Sequence, residues 1–397
     1  MVTLSQVRSC FNKIFDRRKY VCLILSALLC FFQGSSFLSS IMTESTFPDS
    51  QVTSKIQKNQ IHDNTRLCSQ QEITQGEWLP VTYDQLPYLP IKKSSKQCYT
   101  ELVQPWHTYE WQPSAATKTT TTMDDDGLCE FSKWDQDLFC QLAHNRTISM
   151  VGDSLMLEQF SSLIHMLGIR DFREESVYNT TGYVEYTVCP HNTTRIFFER
   201  NNWLRRVFKR GLSVVEPDIL ILNKGAWWTD NSAHRHRVMG VFPQLKEWQT
   251  RCQQQERQCH LIWRTTVPGH PLCQTMTHPS TNISQMEALI ADQSLYPKQN
   301  LKFNWRQFQS QNKMTIDLFR AEAANNTKVL FPPLDIMDAY PILVLRPDDH
   351  VGFHNPPIKR RDRRSGPDCL HNCQPGKTLV YNQLLLHQMK EWQQDEK

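Results

Sequence analysis

The chain alternates short, largely apolar runs with longer stretches in which apolar residues recur at helical spacing. Apolar runs without alternation are typical of strands covered on both faces, and they occur at residues 148–151, 219–222, 261–264 and 329–331. Between the runs, residues 155–167 place large apolar side chains on one helical face. Strands that alternate with helices predict an α/β fold with a parallel sheet. The carboxyl ends of such strands meet at one edge, where ligand sites are expected.

The N-terminus has a different pattern, in which five basic residues precede an apolar stretch over residues 20–42. The stretch just reaches the length that a membrane span needs, with a polar interruption at residues 33–36. Basic residues before a span place it with its N-terminus in the cytoplasm. We therefore expect a cytoplasmic tail over residues 1–19, a signal-anchor transmembrane helix over 20–42 and a single-pass type II protein. Small serines after the apolar core leave a cleavable signal peptide as the alternative.

Composition beyond this segment predicts a stem and a disulfide-bonded lumenal chain. Residues 43–67 are polar and lack an apolar face, as in a flexible stem. Ten of the thirteen cysteines follow, and an even number in a secretory lumen predicts up to five disulfides, whose pairing stays open. Five N-x-S/T acceptors fit that compartment. We expect a Cys- and Trp-rich N-terminal subdomain over residues 68–145 and a larger domain over 146–397. A net charge of +4 gives no argument for binding nucleic acid.

The most informative stretch for function is Ile-Ser-Met-Val-Gly-Asp-Ser at residues 148–154. The apolar run predicts a buried strand, and Gly152 permits a tight turn after it. The helical pattern that follows places Ser154 at a helix N-terminus, where unpaired amides and the helix dipole favour developing negative charge. That environment suits a serine nucleophile, although an ordinary N-cap serine has the same signature.

A second segment offers the base that such a serine needs. Near the C-terminus the chain reads Asp-Cys-Leu-His-Asn-Cys-Gln-Pro-Gly, with Asp368 three residues before His371. Histidine titrates in the range of a general base, and a carboxylate fixes its tautomer and stabilises the imidazolium. The alternative is a turn capped by Asp368 with His371 on the surface. Cys369 and Cys373 flank the histidine, but a structural zinc site needs a second pair of ligands, so we predict no metal and expect disulfides that pin this loop.

These motifs and several further blocks resemble the PC-esterase family, whose plant members are the trichome-birefringence-like polysaccharide O-acetyltransferases. The blocks run in the family's order over about residues 68–390: CSQQEITQGEW from Cys68, YEWQP from Tyr109, GDS at 152–154, NKGAWW from Asn223, WRTTVPGH from Trp263, DCLHNCQPG from Asp368 and YNQLL from Tyr381. The chain departs from the plant members at Asn372 and Tyr381, where they usually carry Trp, at the polar Gln374, and in an insertion around residues 117–127.

The resemblance implies a three-layer SGNH-hydrolase-like fold, with a parallel sheet between helices. It implies Ser154 as the nucleophile, His371 as the general base and Asp368 as the residue that orients this base. The oxyanion hole would combine the amide of Ser154 with Asn223, at the position where related esterases carry an oxyanion asparagine, and with Gly225, which lets the backbone approach closely. A strand-terminating turn residue is the alternative for Asn223.

Further side chains have the chemistry of sugar contacts. Arg264 suits a uronate or a buried carboxylate, and His270 suits the acceptor sugar, although polar residues in such loops mostly hold the loop itself. Trp227, beside Trp228, offers an aromatic platform for the face of a sugar, with packed core as the alternative. The basic cluster at residues 359–364 usually indicates a solvated loop, and the functional hypothesis is that it attracts an acidic glycan to the site.

These features predict an O-acetyltransferase of the Golgi membrane that transfers acetyl groups to hydroxyls of a polysaccharide or glycan through an acetyl-serine. Transfer is implied by the resemblance alone, because the residues do not distinguish water from sugar as the acceptor. A secretory carbohydrate acetyl esterase and an inactive glycan-binding protein of the same fold are the alternatives. We expect no bound cofactor, since neither G-x-G-x-x-G nor a P-loop is present, and an acetyl donor derived from acetyl-CoA is the expected partner.

Overall fold

The computed structural model describes residues 66–82, 109–116, 129–172, 177, 182–205, 207, 216–227, 230–296, 303–325, 331–354, 367–374 and 376–395. In chain order the strands are β1 (Gly76–Pro80), β2 (Tyr109–Pro113), β3 (Thr147–Gly152), β4 (Tyr183–Val188), β5 (Thr194–Arg200), β6 (Ile219–Leu222), β7 (His260–Arg264) and β8 (Leu334–Met337). The α-helices are α1 (Gln70–Ile73), α2 (Gln136–Leu142), α3 (Ser154–Met166), α4 (Asn231–Met239), α5 (Phe242–Gln254), α6 (Ile283–Ala291), α7 (Phe308–Asn325), α8 (Tyr340–Leu343), α9 (Val351–His354) and α10 (Leu379–Asp395). These elements belong to one compact unit, Asp63–Lys397.

The central sheet has the strand order β4-β5-β3-β6-β7-β8. All of its strands are parallel except β4, which pairs antiparallel with β5 at one edge. Ile148 lies opposite Ile196 on one side and Ile219 on the other, which sets the register of the three strands. From β5 to β8 this is the order of a doubly wound sheet whose direction of winding reverses between β3 and β6. A ligand crevice is expected at that reversal, outside the carboxyl end of β3.

Successive residues of the central strands point to opposite faces of the sheet, where they join two separate hydrophobic clusters. Met150 and Ile221 lie in the larger cluster together with residues of α3 and α10. Val151 and Leu222 lie in the second cluster with residues of α4, α5 and α7. The sheet therefore lies between two helical layers, and the prediction of an α/β fold with helices on both faces is confirmed.

Three of the four predicted strands are confirmed, because residues 148–151, 219–222 and 261–264 fall within β3, β6 and β7. The predicted helix over 155–167 is α3, which begins and ends one residue earlier. The fourth predicted strand, over residues 329–331, falls mostly outside the described residues and stays a prediction. Phe331 lies outside any strand, residues 329–330 lie outside the described residues, and β8 begins at Leu334. β8 is an edge strand with three half-buried residues, so it lacks the continuous apolar run of a covered strand.

Disulfides and aromatic residues connect the segment before β3 to the rest of this unit. Trp78 and Trp111 face each other across the antiparallel pair β1–β2 and lie in the same hydrophobic cluster as β3. Cys373 is disulfide-bonded, and four further bonds are Cys68–Cys129, Cys140–Cys189, Cys252–Cys259 and Cys273–Cys369. The prediction of a disulfide-bonded chain is confirmed, and the boundary between residues 145 and 146 stays a prediction.

None of the helices in the described ranges is long and apolar enough to cross a bilayer. The predicted tail over residues 1–19, the transmembrane helix over 20–42 and the stem up to residue 65 lie outside the described residues. The membrane topology therefore stays a prediction.

Candidate active site

Ser154 begins α3 directly after the turn that ends β3. Asp153 is the N-cap of this helix: one carboxylate oxygen accepts from the amide of Leu155 at 2.9 Å, and the other accepts from the amide of Ala226 at 3.2 Å. Glycine is required at Gly152, because a Cβ there would lie 2.7 Å from a side-chain carbon of α3. Asp153 thus joins the turn after β3 to the loop after β6. It leaves Ser154 as the first helical residue, whose amide has no partner within the helix.

His371 lies beside Ser154, although 217 positions separate the two residues in the sequence. Its Nε2 is 2.9 Å from Oγ of Ser154, and its Nδ1 is 2.8 Å from Oδ2 of Asp368. The other carboxylate oxygen of Asp368 accepts from the backbone amide of His371 at 3.1 Å. A carboxylate beside Nδ1 favours the tautomer with its proton there, which leaves Nε2 to accept from the serine hydroxyl. This is the geometry in which a histidine can activate a serine.

The site opens to solvent on the side of the base. The side chain of Ser154 is buried, whereas the side chain of His371 is 25% exposed and that of Asp368 is 46% exposed. A hydroxyl at the bottom of an open site can receive a group from a large molecule, because only the reacting end of that molecule has to enter.

Disulfides and backbone hydrogen bonds hold the loop that carries the base. Cys369, between Asp368 and His371, is bonded to Cys273, and Cys373 is also disulfide-bonded. Backbone amides of α9 donate to the carbonyls of Asp368 and His371 at 2.9 and 3.1 Å. The prediction that disulfides pin this loop is therefore confirmed. Among the described residues, no group of His, Cys, Asp and Glu side chains is arranged to hold a metal ion.

Asn223 follows β6, but the structure does not direct its amide at Ser154, as an oxyanion donor requires. Its Nδ2 donates to the carbonyl of Arg264 at 3.0 Å and to the hydroxyl of Thr266 at 2.9 Å. Both protons of the amide are therefore engaged, and Asn223 joins the end of β6 to the end of β7. Gly225 lets the loop after β6 pack closely against Thr266, because a Cβ at this position would lie 2.1 Å from Cγ2 of Thr266.

Arg264 and His270 are wholly buried, which contradicts their predicted role as substrate contacts. Arg264 donates to the carbonyl of Leu155 at 3.1 Å, and its guanidinium lies 4.4 Å from the ring centre of Tyr381. Nδ1 of His270 is 2.7 Å from Nε2 of His350. Burial, with a smaller contribution from a nearby ammonium, lowers the pKa of His270 to about 3. The geometry supports the alternative reading, in which both side chains hold the structure together.

Trp227 is 37% exposed and packs edge-on against Phe303, with ring centres 5.9 Å apart. An exposed tryptophan on the loop after β6 is compatible with a platform for a sugar, which stays a prediction. Trp228 and the basic cluster at residues 359–364 lie outside the described residues.

Two buried charged side chains near the site are not identified by the sequence analysis. Lys224 lies directly after β6; burial lowers its pKa to about 7, against the opposing effect of the Asp153 carboxylate. Glu158 is wholly buried one turn along α3 from Ser154 and accepts a hydrogen bond from Asn372. In the sequence, both residues could have been noticed as charged positions: Lys224 lies next to an apolar strand, and Glu158 lies within a largely apolar helix.

Comparison with known proteins assigns a family to part of the chain. Residues 204–388 match the model of PC-Esterase, described as the GDSL/SGNH-like acyl-esterase family found in Pmr5 and Cas1p. The matched region includes Asp368 and His371 and begins after Ser154. The match supports acyl-ester chemistry, by hydrolysis or by transfer. No curated protein matches the chain.

Two solved structures resemble the chain at low identity. A GDSL-like lipase from Parabacteroides merdae is 11% identical, with a TM-score of 0.28 and coverage of 62% of this chain and 97% of the lipase. The periplasmic domain of a lipopolysaccharide acetyltransferase from Salmonella ser. Paratyphi A is 13% identical, with a TM-score of 0.29 and coverage of 64% and 88%. Scores this low do not establish a common fold by themselves.

Proposed function

We propose that this chain, whose residues 204–388 belong to the PC-esterase family, is an O-acetyltransferase that works through Ser154. The acceptor is a hydroxyl group of a polysaccharide or glycan, and an acetyl-serine is the intermediate. The observation that carries the proposal is the 2.9 Å contact between Oγ of Ser154 and Nε2 of His371. A serine hydroxyl is a poor nucleophile until a base takes its proton, and this contact provides the base.

In the first half-reaction, Nε2 of His371 takes the proton of Ser154 while Oγ attacks the carbonyl carbon of an acetyl ester or thioester. The carboxylate of Asp368 stabilises the imidazolium that forms. The tetrahedral intermediate then collapses, the bond to the donor breaks, and the imidazolium gives its proton to the leaving alkoxide or thiolate. The amide of Ser154 at the N-terminus of α3 is the donor best placed to stabilise the oxyanion, because Asn223 is engaged elsewhere.

In the second half-reaction, the acceptor hydroxyl occupies the place that the leaving group has vacated. Nε2 of His371 takes the hydroxyl proton, the sugar oxygen attacks the acetyl carbonyl, and the proton returns to Oγ of Ser154. The exposed side of His371 and Asp368 supports a polymeric acceptor, since a sugar at the end or edge of a chain can reach this site. Trp227 is proposed to contact the acceptor from the loop after β6.

The cellular setting forms part of the same proposal. Disulfides in the compact unit are typical of an oxidising compartment, which supports a lumenal catalytic domain. We place that domain in the Golgi lumen, held by the anchor predicted at residues 20–42, with an acetyl donor derived from acetyl-CoA and no bound cofactor.

The test is the covalent intermediate. The purified lumenal chain is exposed to p-nitrophenyl acetate, quenched in acid and examined by intact-mass and peptide mass spectrometry. One acetyl group should be found on Ser154, and it should be absent from Ser154→Ala. The matched control is Ser162→Ala, a buried serine of the same helix outside the site, which should still be acetylated. An adduct that persists in Ser154→Ala would place the chemistry elsewhere, and no adduct on the folded wild-type chain would support an inactive glycan-binding protein.

A carbohydrate acetyl esterase is the second candidate, because water reaches the exposed side of His371 as readily as a sugar does. Incubation with bare and with acetylated glycans separates the two. Acetyl groups gained by the bare glycan support the transferase, and loss of acetyl groups from the acetylated glycan without any gain supports the esterase.

A further inference from the structure

Three buried polar residues of α3 lie on one face of the helix and contact the loop that carries the base. They are Ser154, Glu158 and Ser161, hereafter the α3 polar row, and their spacing of four and three residues places them on the same face. Ser154 contacts His371 at 2.9 Å. The other two contact residues further along the loop, so each turn of the helix faces one loop residue.

Glu158 makes the densest contacts of the α3 polar row. Its Oε2 accepts from Nδ2 of Asn372 at 2.6 Å, and its Oε1 accepts from the backbone amide of Asn372 at 3.2 Å. One turn further, the hydroxyl of Ser161 donates to Oε1 of Gln374 at 3.2 Å, and Nε2 of Gln374 donates to the carbonyl of Glu158 at 3.2 Å.

The burial of Glu158 requires an explanation in terms of its charge. The side chain is wholly buried, and a carboxylate removed from water costs several kcal/mol unless hydrogen bonds and nearby charge offset it. The two donors on Asn372 supply the hydrogen bonds, and the ammonium of Lys377 is close enough to interact electrostatically. Packing alone would be served as well by an apolar residue of similar volume.

The hydrogen bonds fix one peptide group from both of its ends. The carbonyl of His371 accepts from the amide of Val351 at 3.1 Å, while the amide of Asn372, across the same peptide bond, donates to Glu158. Because a peptide group is planar, these contacts restrict the backbone on the carboxyl side of His371. The imidazole is therefore held relative to α3, the helix that carries Ser154.

We propose that Glu158 is a positioning residue, which holds the peptide between His371 and Asn372 and so keeps Nε2 of the base opposite Oγ of Ser154. The inference rests on the proposed function, because it assigns Glu158 to the reaction of Ser154. A displacement of the base by about 1 Å lowers the rate of such a reaction by roughly 100-fold. The loop is held elsewhere by disulfides, so the loss of Glu158 should slow the reaction without abolishing it.

The test compares three single variants in α3. Glu158→Leu removes both contacts with Asn372. Glu158→Gln can keep them, because the glutamine oxygen accepts from the backbone amide and its nitrogen donates to the side-chain oxygen of Asn372 once that amide turns over. Gln159→Leu is the matched control: Gln159 is also buried and polar, but its Oε1 accepts from Arg264 at 3.2 Å and it does not face the base.

The readouts are the rate at which a fluorophosphonate labels Ser154 and the kcat and KM for p-nitrophenyl acetate, each measured on folded protein. Glu158→Leu should lower the labelling rate and kcat by roughly 10- to 100-fold with little change in KM. Glu158→Gln should stay within a few-fold of wild type, and Gln159→Leu should lower the melting temperature but not the labelling rate. An unchanged rate in Glu158→Leu, or an equal loss in Gln159→Leu, overturns the positioning role.

The outcome also separates this inference from the proposed function. A wild-type chain that is not labelled at Ser154 overturns both, whereas equal labelling of wild type and Glu158→Leu overturns only the positioning role. If Glu158→Leu does not fold, Asn372→Ala tests the 2.6 Å contact from the side of the loop. Slower labelling of that variant supports the inference, and labelling at the wild-type rate overturns it.

Discussion

Acidification from about pH 7.5 to about pH 5 should destabilise the folded protein through two buried imidazoles behind the base loop. His270 and His350 are wholly buried, and Nδ1 of His350 lies 3.1 Å from the carbonyl of His371. Burial, with repulsion from the ammonium of Lys377, lowers the pKa of His270 to about 3 and the pKa of His350 well below 6.5. In the unfolded chain both rings take up protons near 6.5, so acid favours the unfolded state. This contribution is fully present above pH 6.5 and is lost as the pH falls towards the folded-state values.

The magnitude follows from the two pKa values of His270. With an unfolded pKa of 6.5 and a folded pKa of about 3, this ring lowers the free energy of unfolding by about 2 kcal/mol between pH 7.5 and pH 5. One effect opposes this result. The pair makes three contacts: Nε2 of His270 with the carbonyl of Val344, Nδ1 of His270 with Nε2 of His350, and Nδ1 of His350 with the carbonyl of His371. Each contact needs one proton, and two neutral rings carry only two. A third proton on the pair would satisfy every contact, but burial and the ammonium of Lys377 disfavour the added positive charge.

The assay is urea unfolding followed by tryptophan fluorescence at both pH values, for wild type and for His270→Gln. The amide of glutamine can still donate to the carbonyl of Val344, as Nε2 of His270 does, and it does not titrate, so the loss of stability on acidification should shrink by about 2 kcal/mol. Burial also lowers the pKa of His234 to about 3 and that of His260 to about 4, so the difference between the proteins is the test. His144→Gln, which removes an exposed imidazole, is the control. An equal loss in wild type and His270→Gln would mean that the folded pair already holds the third proton.

Three further predictions concern the base, the sheet edge and the loop. Asp368→Asn should lower kcat for p-nitrophenyl acetate by roughly 10³- to 10⁴-fold, because the amide no longer stabilises the imidazolium, while the circular dichroism spectrum stays normal. A near-normal kcat would exclude Asp368 as the residue that orients the base. Gly225→Ala should lower the stability by roughly 1–3 kcal/mol in thermal unfolding, since the new Cβ would lie 2.1 Å from Cγ2 and 2.4 Å from Oγ1 of Thr266; an unchanged melting temperature would show that the loop after β6 can move away. The pair Cys273→Ser and Cys369→Ser opens a bond across 96 residues and should lower the free energy of unfolding in urea by about 4–5 kcal/mol; a change below about 1 kcal/mol would show that the loop is ordered without it.

The strands that the sequence predicts well are those whose burial is visible in their own residues. β3, β6 and β7 are covered on both faces, so nearly every position is apolar and the run is visible without knowledge of the neighbours. β8 lies at the edge and mixes Asp335 with half-buried apolar residues, so its pairing with β7 decides the structure and the local pattern does not. β4 is the other edge strand and is mostly half-buried or exposed, whereas β5 is an interior strand whose buried residues are flanked by charged ones; neither strand is predicted.

The predicted site residues fall into two groups, those that local motifs identify and those whose role depends on tertiary contacts. Ser154, Asp368 and His371 belong to compact motifs in which the turn and the spacing carry the chemistry, and the structure brings them within hydrogen-bond distance of one another. Asn223 and Arg264 end neighbouring strands, which the sequence predicts, but the direction of their side chains depends on tertiary contacts. Arg264 points into the interior towards α3, and Asn223 points along the sheet edge to β7. A position at the carboxyl end of a strand is therefore insufficient evidence for a contact with substrate.

The helix that carries the nucleophile, α3, is more deeply buried than its sequence pattern predicts. Its apolar spacing predicts a single buried face, yet all thirteen residues of α3 are buried. A helix buried on all sides must find a partner for each polar side chain, and for Glu158 and Ser161 those partners are Asn372 and Gln374. The partners lie more than 200 positions away in the sequence, so the helix and the base loop satisfy their polar groups only when they are assembled together. In α3, the polar residues four and seven positions after Ser154 contact amide side chains of the base loop, and these contacts become visible only in the assembled structure.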